Sequence, residues 1–94
     1  MKLRWSNRSL SNLSDLHAYI SEDNLAAANR VVAKIEEAVE TLRNAPLAGR
    51  KGRVAGTREL VIPGTPYVVG YTLEADAIYI LAVVHGKQGW PDRF

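Results

Sequence analysis

Two histidines, His17 and His85, are the side chains in this sequence best suited to proton transfer near neutral pH. His85 closes an apolar, strand-like run and is the candidate general acid or base. A histidine in that position also serves as a hydrogen-bonding end residue with no chemistry to do. His17 lies beside Leu16 on one face of a helical pattern and reads as a packing or interface residue. Anions would be held by the cations. Arg43, Arg50, Lys51, Arg53 and Arg58 fall between Thr41 and Arg58 with no acid among them, whereas Asp15, Glu22, Asp23, Glu36, Glu37 and Glu40 all precede that stretch. This separation makes a local positive field that could hold a phosphate or an acidic peptide, although a solvated basic loop has the same composition. Lys87 adds a cation beyond His85. Trp90 is an indole in a short polar tail, expected to fold back on the protein or to pack into a partner. The chain has no cysteine, which excludes disulfides, thiolate metal sites and a cysteine nucleophile. The two histidines are far apart and match no metal-ligand spacing, so no metal or cofactor is expected.

The elements that must position these groups follow from periodicity. Lys2-Leu3-Arg4-Trp5 alternates like a short strand and ends at a Ser6-Asn7 cap signal. Leu10, Leu13, Leu16 and Ile20 mark a first helix. Asn24 is the expected N-cap of a second, in which Leu25, Ala28, Val32, Ile35, Val39 and Leu42 form the apolar stripe and Pro46 forces an end near Asn44. Ala48 to Gly56 is read as an exposed loop. Thr57 to Ile62 and Tyr67 to Leu73 are strands, the latter with Tyr67, Val69, Tyr71 and Leu73 on one face. Ala77 to His85 is the last strand, expected to alternate Ile78, Ile80, Ala82 and Val84 against Tyr79, Leu81, Val83 and His85. Both sets are apolar, which places this strand centrally. The 94 residues make one domain, 1–94. The fold class expected is α+β in the order β-α-α-β-β-β, a helical hairpin packed on an antiparallel sheet. No secretory segment or membrane-spanning run is read, so the cytoplasm is the expected location.

Gly49-Arg50, Gly56-Thr57-Arg58-Glu59-Leu60, Pro66-Tyr67-Val68-Val69 with Tyr71, Ile80-Leu81, Val84-His85-Gly86 and Trp90-Pro91 resemble, in that order, the RelE/ParE toxin superfamily and within it the ParE-like branch. The resemblance spans nearly the whole chain. It implies a toxin of a type II toxin–antitoxin system, wrapped and neutralised by a cognate antitoxin. ParE-like members poison DNA gyrase, while RelE-like members cut messenger RNA in the ribosome.

The site must choose between these activities. RNA cleavage needs a base, an acid and cations for the phosphorane charge. Relatives that cut RNA often carry Arg after the position of Tyr71 and at the position of Gln88, and here these are Thr72 and Gln88. The expected function is therefore a gyrase-inhibiting toxin. The alternatives are a ribosome-dependent endoribonuclease with His85 as catalytic residue and Arg58, Arg53 and Lys87 on phosphate, or a non-toxic antitoxin-binding module. Arg50, Lys51, Arg53, Arg58, Lys87 and Trp90 are the candidate anion or partner contacts. Glu59 could join His85 as a base only if the two face the same way, and Arg58 and Glu59, being adjacent on a strand, must face opposite ways. A hetero-oligomer with the antitoxin is expected in every case, and no membrane.

Overall fold

In a computed structural model, which describes residues 1–87 and Trp90, the elements run β1 (Lys2–Trp5), α1 (Asn7–Ser21), α2 (Leu25–Thr41), β2 (Arg50–Lys51), β3 (Arg58–Val61), β4 (Tyr67–Glu74) and β5 (Ala77–His85). Both helices start where the sequence says they should. Ser6 Oγ accepts from the Ser9 amide at 3.0 Å, and Asn24 Oδ1 accepts from the Ala27 amide at 2.9 Å; each satisfies a donor that the first helical turn leaves open. The apolar stripe of α2 is buried at Ala28, Ile35, Val39 and Leu42, but its first residue, Leu25, is exposed. His17 Nε2 donates to Asn29 Oδ1 at 2.8 Å, tying α1 to α2.

The sheet order is β1-β5-β4-β3-β2. Strands β2 to β5 are antiparallel, and β1 lies parallel to β5 at the edge, with Leu3 opposite Ile78 and Trp5 opposite Ile80. The sheet is therefore mixed, and β5 is interior as its two apolar faces require. The helices cover one face, onto which Ile62, Tyr67, Val69, Tyr71, Ile78, Ile80 and Val83 project to form the core with Leu16, Ile35, Val39 and Leu42. Among the described residues no helix is long and apolar enough to cross a membrane.

Two sequence expectations are corrected. The segment 48–56 is not simply an exposed loop. Gly49 and Val54 are buried, and Arg50–Lys51 pair with Glu59 and Arg58 as β2. The loop is pinned from below by Tyr71, fully buried, whose hydroxyl donates to Pro46 O and accepts from the Gly49 amide, both at 2.8 Å. A Cβ on Gly49 would meet that hydroxyl at 2.6 Å and Glu59 O at 2.9 Å, so only glycine permits the approach.

The second correction concerns β5. Gly70 is opposite Ala82, but Tyr71 is opposite Ile80, so Leu81 is an extra residue in the ladder. A bulge of this kind advances the alternation by one. Ile78 and Ile80 face the helices, and beyond the bulge Val83 and His85 do so too, opposite Val69 and Tyr67; Ala82 and Val84 take the other side. Polar groups of the chain entering α1 hold the irregularity. Ser6 Oγ donates to Leu81 O at 3.1 Å, the Ser6 amide to Ile80 O at 3.0 Å, and Asn12 Oδ1 accepts from the Val83 amide at 2.9 Å.

Candidate functional site

The bulge decides where His85 points, and with it the geometry of everything that could act beside it. His85 meets Tyr67 edge-to-face, with ring centroids 5.8 Å apart, and its Nδ1 accepts from the Lys87 amide at 3.2 Å. A neutral ring then carries its proton on Nε2. His85 and Lys87 line a groove of about 600 Å³ with Asn12, Asp15, Tyr19 and Tyr67 over a floor of Leu16 and Val83. Tyr19 is 73 % exposed at its rim. Burial, and secondarily the neighbouring Tyr19, push the Tyr67 hydroxyl above the usual phenol range, so it stays a neutral donor.

Arg50 and Arg53 are on the opposite side of the sheet. Glu59 faces away from the helices, next to Gly70 and Ala82 in the ladder, and is only 3 % exposed. Arg50 donates through Nε and Nη2 to Oε1 at 3.3 and 3.0 Å. Arg53 gives its backbone amide and Nε to Oε2 at 2.8 and 3.0 Å, and its Nη2 to Oε1 at 3.1 Å. Burial alone would raise the carboxyl, but these bonds, chiefly those of Arg53, bring it down to about 2. A buried charge is tolerable only when its lone pairs are taken up in this way. The guanidinium carbon of Arg53 also lies 4.1 Å from the centroid of the Trp90 ring, a cation–π stack that holds the indole against this face.

Arg58 is in a third place. It projects to the helix side beside Tyr71, and its Nη1 donates to Gly49 O at 2.8 Å and Leu47 O at 3.4 Å. Lys51, its cross-strand neighbour, is exposed.

The candidate residues thus separate into three groups: His85 with Lys87, Arg50 with Arg53 and Trp90, and Lys51 with Arg58. Glu59 cannot serve as a base beside His85, because the bulge puts the two on opposite faces. Arg53 and Arg58 likewise do not converge with Lys87 on one phosphate. Thr72 donates its hydroxyl to Gly56 O at 2.9 Å. Gln88 lies outside the described residues. Sequence reasoning missed the Glu59 clamp, although a signal was present: Glu59 is the only acid between Thr41 and Leu73, and a lone carboxylate on an apolar strand amid cations is a natural hub for them.

Residues 3–90 match the model of the ParE toxin of type II toxin–antitoxin systems, parDE. The chain belongs to the ParE toxin family. It is 44% identical over 90 residues to the Y4kP protein of Sinorhizobium fredii (strain NBRC 101917 / NGR234), covering 96% of this chain and 93% of that one. Toxin RelE2 of Caulobacter vibrioides is 31% identical over 84 residues, covering 89% and 93% respectively. A solved structure of the chromosomal ParDE system from P. aeruginosa superposes with a TM-score of 0.81 at 25% identity, covering 90% of this chain and 95% of that one. The RelE/ParE resemblance and the α+β fold read from the sequence are borne out, and the ParE-type toxin–antitoxin setting with them.

Proposed function

We propose that this chain is, over its whole length, a single toxin domain that acts in the cytoplasm by inhibiting DNA gyrase, arrests growth without hydrolytic chemistry, and is neutralised in a hetero-oligomer with a cognate antitoxin. One observation carries the reading. The groups an RNA-cleaving site needs within reach of one phosphate are divided between two faces of the sheet. Glu59, Arg50 and Arg53 are locked to one another on one face, while His85 stands on the other and shares its groove with Lys87. General acid–base cleavage requires its donors and acceptors to converge at about 3 Å, whereas a protein that works by binding needs only a surface. The groove at His85, with the exposed Tyr19 at its rim, is such a surface.

A ribosome-dependent endoribonuclease is the second reading, favoured by the openness of the groove that His85 and Lys87 share. Purified protein added to a gyrase supercoiling and cleavage-complex assay separates the two. Inhibited supercoiling with no new messenger 5′ ends after induction is expected. Unchanged supercoiling while growth stops would sink the gyrase reading, and harmless expression without the antitoxin would leave a binding module that is not toxic.

A further inference from the structure

Of the basic residues that the sequence groups together, Arg50 and Arg53 share Glu59 as an ion-pair partner, but Lys51 and Arg58 do not. These two are direct partners in the β2–β3 ladder, so their side chains leave the same face of adjacent strands. Like charges directly opposite one another in a sheet repel, and neither forms an ion pair among the described residues. They line a cavity of about 320 Å³ with Gly56, Thr57, Thr72 and Leu73, none of which is acidic. Arg58 is also held in position: Nη1 is committed to Gly49 O and Leu47 O, which fixes the guanidinium plane and leaves the remaining edge of the fork undonated. A preorganised guanidinium beside an exposed ammonium, in a pocket lined by no acid, is built to take an anion.

We propose that the cavity between Lys51 and Arg58 anchors a carboxylate on an acidic peptide segment of a protein partner. Two features favour peptide over nucleic acid. None of the lining residues is aromatic, so a nucleotide whose phosphate sat there would find no ring on which to stack its base. The cavity also adjoins β2, the outermost strand of the sheet, whose outer edge offers backbone groups that an extended peptide can use and a phosphodiester backbone cannot. The inference rests on the proposed function only for the source of the peptide, the neutralising partner.

The test is an amide chemical-shift titration of the full chain with an acetylated, amidated hexaglutamate peptide, and separately with single-stranded hexathymidylate at the same ionic strength. The peptide is expected to shift the amides of Lys51, Gly56, Thr57, Arg58 and Thr72, and Lys51→Glu to weaken its binding by about tenfold or more. Arg30→Glu makes the same change of net charge at an exposed position on α2 and is expected to leave the affinity nearly unchanged. Equal weakening by both variants, no shift at these amides, or tighter binding of hexathymidylate at the same amides would each overturn the proposal. Arg58→Ala also frees residues 47–49, so Lys51→Glu carries the comparison. Because it relieves repulsion, its Tm is expected to match or exceed that of the wild type, and a lowered Tm would overturn the account of an unneutralised pair. The titration does not read toxicity, so a failed gyrase assay leaves it standing, and its own failure leaves the gyrase reading intact.

Discussion

On the outer face of the sheet Glu59 collects five hydrogen bonds from Arg50 and Arg53 and is sealed from water, while on the helix side His85 accepts a single backbone bond and looks into an open groove. The two regions hold similar side chains and use them in opposite ways. In the first, the carboxylate is fully taken up by the two guanidinium groups, which it holds in place; their product is the position of the 49–54 segment and of Trp90. In the second, Asp15, Tyr19, His85 and Lys87 stand around a space without filling it. A cluster of charges signals function less by its density than by what remains unpaired.

The sharpest way to break this contrast is to remove its hub. Glu59→Ala strips the carboxylate from two guanidinium groups, and a loss of about 3 kcal/mol is expected from urea denaturation, at the low end for broken buried pairs because Arg50 and Arg53 are about half exposed. A double-mutant cycle with Arg53→Ala should then show strong coupling. A cost below about 1 kcal/mol would mean the cluster contributes no more than an exposed pair, and the contrast would collapse.

Acid offers the same test without a mutation. The carboxyl of Glu59 titrates near 2 in the folded chain against an ordinary value of 4.5. The folded value being the lower, its stabilisation is complete above the ordinary value and is lost as pH falls from there towards 2. About 2 kcal/mol should disappear across that window, after discounting for the solvent that screens the two arginines. Glu59→Gln should abolish this dependence; an unchanged slope in the variant would place the acid sensitivity elsewhere.

Smaller effects follow at the edges of each region. Trp90→Ala is expected to cost about 1 kcal/mol through the lost stack on Arg53, and in a Trp5→Phe background the Trp90 emission should shift to the red when Glu59 is replaced by Ala. An emission that ignores Glu59 would separate the tail from the clamp. His85→Ala should cost least in stability, within about 0.5 kcal/mol, and should alter growth arrest only in step with gyrase inhibition, with no change in messenger 5′ ends. Abolished toxicity with new messenger 5′ ends in the wild type alone would turn the groove into an active site.

The sequence foretold these regions unevenly. Tyr67, Val69, Tyr71 and Leu73 share the core-facing side of β4 as their alternation predicts, because they are large and apolar while Val68, Gly70, Thr72 and Glu74 on the other side grow smaller or polar. The caps at Ser6 and Asn24 were equally legible, each being a local choice with a local partner. The phase of His85 was not. Both faces of β5 are apolar, so the extra residue at Leu81 leaves no break in the pattern, and the groups that hold it, Ser6 and Asn12, are more than 60 residues away in the chain. β2 was hidden because two residues in a Gly- and Arg-rich stretch carry no periodicity; it exists through the approach of Gly49 to Tyr71 and the pull of Glu59 on Arg50.

The irregularity at Leu81 has a consequence for how such a domain could change its trade. Because Leu81 is the extra residue, its deletion would leave His85 beside Tyr67, whereas drawing Leu81 into the ladder would turn everything after it over and bring His85 to the surface that holds Glu59, Arg50 and Arg53. An acid, an imidazole and two guanidinium groups would then stand on common ground. A slip of one residue in the register of one strand is a short step between a scaffold whose charges only hold it together and one whose charges could be put to work.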